Sequence, residues 1–288
     1  MSAAPPVAQQ LAPLVAPPAP NLDIDIPAQP ETLVRLSMLL ADEDVNVAAI
    51  AQLVEADMAL AAAVLKAVNS SLYGLRGRVQ SVQQAVTYLG TREISGITFE
   101  LGLRAAFPPA AELEPIWNRA GTRGLVMGRL GQALGLDAWA AHSAGVFEEC
   151  GKAVLFRHAP AHYPAMLRAA SCDTDLCQFE RAGFGIRHDA LGAALCHSWG
   201  LGVAAVACVE HHVAAQAEPD LQRLAMLLPA QRGLLALSVM AKALLDTPAS
   251  ADEAAGHVAE HAGLNPTQAL RAVRRLQEQL AEAAAHGR

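Results

Sequence analysis

Apolar residues recur along this chain at the three-and-four spacing of helices, and the breaks between runs carry helix-stop and helix-start chemistry. Pro30 suits the first turn of a helix through ETLVRLSMLLA, which places Leu33, Leu36, Leu39 and Leu40 on one stripe. Asp57 is positioned to cap MALAAAVLKAVNS, whose apolar positions run nearly all round and predict a buried helix. Tyr73-Gly74 marks a stop. Ser81 and Gln84 stand at capping-box spacing ahead of VQQAVTYL, which Gly90 closes. Thr91 opens the next helix, and Pro108-Pro109 ends it.

A second set follows. IWNRAGTRGLVMGRLGQAL is helical in period and stops at Gly135, and Asp137 then caps the long apolar run AWAAHSAGVFEECGKAVLFRH. LCQFERAG ends at Gly183 and Gly185, Asp189 leads LGAALCHSW, and Gly200-Leu201-Gly202 precedes VAAVACVEHHV. Three more helices fill the C-terminal third, the last capped at Asn265-Pro266 with Gln268 three residues after the Asn. No segment alternates with period two, so the predicted fold class is all-α, and the double proline predicts a boundary between two helical lobes.

Composition narrows the function classes. Hydrophobic residues make up 53% of the 288 positions, enough for a sizeable core, and only 4% are aromatic, which favours Ala- and Leu-rich helix packing. The longest apolar stretches, Met58–Leu65 and Leu201–Val209, fall far short of the roughly 18 residues a membrane span needs. Net charge is −7 without a dense basic block, and Arg271, Arg274 and Arg275 share a helix with Glu278 and Glu282. Neither nucleic acid nor membrane is an expected partner. The odd cysteine count without a C-x-x-C pair reads as free thiols in a reducing, cytoplasmic setting. Residues 1–21, rich in Ala and Pro, read as a flexible tail with no basic n-region of a signal peptide.

Residues 57–74, DMALAAAVLKAVNSSLYG, and residues 81–90, SVQQAVTYLG, follow a proline-containing entry at Pro27 and Pro30. This ordered set, with Asn69, Ser70, Tyr73, Gly74, Ala85, Leu89 and Gly90, strongly resembles the HDOD family, a degenerate relative of HD-type metal-dependent phosphohydrolases. The resemblance continues through Trp117, Gly145, Gly151, Gly192, Trp199 and the pair His211-His212. It implies a two-lobed helical fold of bacterial signal transduction. Residues 22–107 would form the first lobe, 110–213 an HD-like lobe, and 214–288 additional helices packed on it. Asn69, Ser70, Tyr73, Gly74 and Gly90 match end-of-helix chemistry and read as structural.

HD-type relatives hold divalent metal through a His, a later His-Asp pair and further histidines. On the resemblance, Arg119 stands at the first His position and Glu148-Glu149 at the His-Asp position, while His188, His211 and His212 persist at later ones. A guanidinium cannot ligate a cation. Adjacent glutamates point about 100° apart on a helix, so one at most is expected to face the site. The expectation is an ion pair between Arg119 and Glu148 or Glu149, with Arg119→Ala markedly destabilising. No catalytic residue, bound metal or other cofactor is expected, and Cys150 reads as a buried thiol.

Three function classes remain. The leading one is a non-enzymatic regulatory module acting through protein contacts, in trans, with a kinase, response regulator or cyclic-dinucleotide enzyme. The groove between the lobes near Pro108-Pro109 and the C-terminal helices are its candidate surfaces. The second is a metal-dependent phosphohydrolase acting on a nucleotide or cyclic dinucleotide, with one glutamate and the persisting histidines around an altered metal. The third is a receptor for a small phosphate-containing ligand held by Arg119.

Overall fold

A computed structural model describes residues 24–40, 47–70, 73, 77, 79–217 and 227–286. The expected tail at 1–21 and the signature position Gly74 lie outside the described residues. Among the described residues all regular structure is helical. Before the double proline come α1 (Glu31–Leu40), α2 (Val47–Glu55), α3 (Met58–Val68) and α4 (Val82–Ala105). Beyond it the chain forms α5 (Glu114–Ala133), α6 (Ala138–His158), α7 (Tyr163–Ala169), α8 (Asp173–Phe184), α9 (His188–Ser198) and α10 (Val203–Ala217). After these come α11 (Pro229–Asp246), α12 (Ala251–His261) and α13 (Pro266–His286). No single helix among them is long and apolar enough to cross a membrane.

Short polar side chains set the helix starts. Asp57 accepts hydrogen bonds from the Ala59 and Leu60 amides, and Asp137 does the same for Trp139 and Ala140, all at 2.9–3.1 Å. Asn265 accepts from the Gln268 amide at 3.1 Å. Ser81 caps α4, and the helical run stops at Gly90 as expected, where φ 83° separates two helical stretches within this span. A left-handed residue there is cheap only for glycine.

The helix α3 departs from expectation. Only Val64 and Val68 are buried on it, and Met58 is exposed, because α2 and α4 cover one side and nothing described covers the other. Its many alanines make it apolar without making it central.

The central element is α6, which packs against α4, α5, α7, α9, α10 and α11. Glycines let its neighbours approach. A Cβ on Gly145 would stand 3.0 Å from the backbone of Gly124 on α5, and one on Gly151 would overlap the carbonyl oxygen of His188 at the start of α9. Aromatic contacts join α4 to α6. Phe99 of α4 meets Trp139 and Phe147 of α6, and Trp199 Nε1 donates to the Pro27 carbonyl at 2.9 Å.

Candidate functional site

Six helices surround α6, so both of its adjacent glutamates point into protein. Glu148 and Glu149 are each buried, contrary to the expectation that only one would face the site. The 100° between them stands, but Glu148 reaches Arg123 of α5 and Gln216 of α10, and Glu149 reaches Arg119 of α5 and Lys152 of α6 itself. Glu148 forms a close ion pair with Arg123 Nη1 and accepts from Gln216 Nε2 at 3.0 Å. Glu149 is met by Arg119 Nε at 3.0 Å, by Lys152 Nζ at 2.7 Å and by Arg123 Nε at 3.7 Å.

The fully buried cation is therefore Arg123, which sequence reasoning missed. Arg119, one turn earlier, is 38% exposed and divides its guanidinium between Glu149 and Asp246 of α11, at 3.0 and 2.9 Å. Burial opposes charge on Arg123, yet Glu148 and Glu149 more than offset this and hold it firmly protonated. Burial likewise works against the Glu149 carboxylate, and Lys152, Arg123 and Arg119 overcome it, lowering its pKa to about 2.

Beyond Lys152 the network continues into residues not foreseen. Lys152 Nζ also reaches Asp173 Oδ1 at 2.8 Å, at the first residue of α8. Glu180, about two turns further along α8, accepts from Tyr163 Oη at 2.6 Å and from the backbone amide of His188 at 2.8 Å. Its carboxylate also binds His188 Nδ1 at 2.8 Å. His212 of α10 directs Nδ1 to the Val209 carbonyl at 2.7 Å, and its ring lies 5.7 Å from that of His188. His211 is only half-buried and belongs to no described group of converging ligand atoms.

The six expected positions do not fit one divalent ion. Both α6 carboxylates are engaged by guanidinium and ammonium groups, and a buried Arg123 beside them adds fixed positive charge. Cys150 is buried, donates to the Val146 carbonyl, and has its thiol pushed far up by burial, which disqualifies it as a nucleophile.

Of the expected signature residues, Asn69 ties the end of α3 to the residues just before α4. Asn69 Nδ2 donates to the carbonyls of Leu65 and Val79 at 3.0 and 2.9 Å, and Asn69 Oδ1 accepts from the Val79 amide at 3.3 Å. Ser70 offers its carbonyl to the Tyr73 amide, and Arg129 of α5 lies over the Tyr73 ring at 5.8 Å.

Comparison with known proteins places this geometry in context. A curated protein of Treponema pallidum (strain Nichols), of uncharacterized function, is 28% identical over 196 residues, which is 65% of this chain and 37% of that protein. The chain thus spans little more than a third of that relative's length. The crystal structure of a proposed signal transduction protein from Marinobacter aquaeolei VT8 matches with TM-score 0.69 and 23% identity, over 92% of this chain and 59% of that one. That of a proposed phosphohydrolase from Shewanella amazonensis SB2B matches with TM-score 0.64 and 18% identity, over 91% and 95%. At these identities the two structures establish a shared helical fold. The family model described as the HDOD domain matches residues 26–215, about two thirds of the sequence, and the chain belongs to the HDOD domain family.

Proposed function

We propose that this chain is a regulatory module of signal transduction that acts through protein contacts and does not hydrolyse phosphoesters. The observation that carries the reading is Arg123, fully buried and paired with Glu148 in the centre of the second lobe. Metal-assisted hydrolysis needs carboxylates and imidazoles free to converge on an ion that activates water. Here the α6 carboxylates are spent on Arg119, Arg123 and Lys152, which fasten α5, α6 and α8 together. Such a core suits a rigid body that presents surfaces.

Residues 22–107 and 110–213 would be the two lobes of the module, and 214–288 an appended layer. Its partner would be a kinase, response regulator or cyclic-dinucleotide enzyme met in the cytoplasm. A phosphate receptor built on Arg119 is less well supported, because Glu149 and Asp246 already occupy that guanidinium.

The test is a hydrolysis assay of the full chain on bis-p-nitrophenyl phosphate, nucleotides and cyclic dinucleotides with Mg²⁺, Mn²⁺ or Fe²⁺ added. No turnover above buffer is expected. Turnover that vanishes in Glu149→Gln would overturn the reading in favour of a phosphohydrolase. Binding of a purified host kinase or response regulator, measured by calorimetry, is the positive counterpart.

A further inference from the structure

On the side of Lys152 away from Glu149, three helices bring together donors that the ion-pair network does not use up. One ligand atom from each of Asp173 (α8), His188 (α9) and His212 (α10) lies within 4.8 Å of the others. His188 and His212 are buried, and the Asp173 side chain is 20% exposed.

The imidazoles are arranged as ligands. His188 commits Nδ1 to the Glu180 carboxylate and His212 commits Nδ1 to the Val209 carbonyl. Each is left with Nε2 as its free donor. A histidine whose other ring N–H is fixed by a carboxylate or backbone carbonyl is the arrangement that orients imidazoles on metal ions. His188 Nε2 is moreover fully buried and has no hydrogen-bond partner among the described residues. An unmatched buried nitrogen costs free energy that a ligand would recover. Asp173 binds Lys152 through Oδ1, which leaves Oδ2 as its donor.

Formal charge agrees. With His188 and His212 neutral, as metal ligands are, the two cations Arg123 and Lys152 stand against four carboxylates, Glu148, Glu149, Asp173 and Glu180, a formal excess of two negative charges. Arg119 and Asp246 cancel at the rim. Buried charge requires a partner.

We infer that Asp173, His188 and His212 form a binding site for one divalent transition ion of the zinc class, displaced from the α6 carboxylates. Two imidazoles and one carboxylate select such an ion over Mg²⁺ or Ca²⁺, which prefer all-oxygen shells. The neighbouring trio Cys177, Glu180 and His188 is the poorer site, because burial raises the Cys177 thiol to about 12 and Glu180 is already held by Tyr163 and His188. The inference stands apart from the proposed function: a chain that binds Zn²⁺ here and hydrolyses nothing satisfies both.

The experiment titrates chelator-treated full-length protein at neutral pH with Zn²⁺ by calorimetry and with Co²⁺ by visible absorption. One equivalent is expected, with cobalt d–d bands and no thiolate charge-transfer band. Affinity should fall at least tenfold in Asp173→Asn and in His212→Ala, with circular dichroism showing that both are folded. Asp173→Asn keeps shape and carries the test if His212→Ala does not fold. His257→Ala controls for the exposed His257–His261 pair and should bind like wild type. Absence of stoichiometric binding, undiminished affinity in Asp173→Asn, or loss of binding in His257→Ala would each overturn the site.

Discussion

Removing the guanidinium of Arg123 leaves Glu148 buried with Gln216 and a distant Cys208 thiol as its hydrogen-bond partners among the described residues. Breaking a buried pair in this way costs about 3–5 kcal/mol, so Arg123→Ala is expected to lower unfolding free energy by that amount in urea. Arg119→Ala should cost only about 1 kcal/mol, since Arg119 is 38% exposed and Glu149 keeps Lys152. Equal losses for the two would refute the ranking. The sequence view assigned the heavier penalty to Arg119. It lacked the means to separate the pair, because the two stand four residues apart on one helix face and differ only in what lies beyond them.

At the scale of elements, helix starts were legible because Asp57, Asp137 and Asn265 each announce a cap by residue type and position. So were Gly145, Gly151 and Gly192 as landmarks, and the structure supplies their reason in close helix crossings. Asp173 and Glu180 were not legible. They lie in a polar stretch whose charges look solvated, and only the docking of α8 beside Lys152 and His188 brings them inside. The short α7 escaped notice as well, with too few turns to show a period. Gly151→Ala tests the crossing of α6 and α9. Its methyl would overlap the His188 carbonyl oxygen, a backbone atom that cannot rotate away. We expect a loss of about 3 kcal/mol or outright failure to fold, whereas Gly256→Ala, where a Cβ meets nothing, should be neutral or slightly stabilising. Comparable melting temperatures for the two would contradict the packing described.

At the scale of the whole molecule, Glu100 of α4 packs against Gly121 of α5 across the double-proline break. Burial raises its carboxyl from the ordinary 4.5 to about 7, with Arg104 pulling the other way. The folded state therefore keeps a proton that the unfolded state has already released, and stability falls as pH rises from about 4.5 to about 7. Glu100→Gln should raise the melting temperature relative to wild type at about pH 8 and leave it unchanged at about pH 4, as differential scanning fluorimetry can show. A shift of equal size at both values would rule the mechanism out. The ion-pair core has a consequence on a longer timescale. Arg123, Glu148, Glu149, Lys152 and Asp173 are joined in a chain of ion pairs, so replacing any one of them alone strands its neighbour's charge in the interior. Exchanging these side chains one at a time therefore crosses a valley of unstable intermediates, and selection acting on single substitutions meets the network as a ratchet.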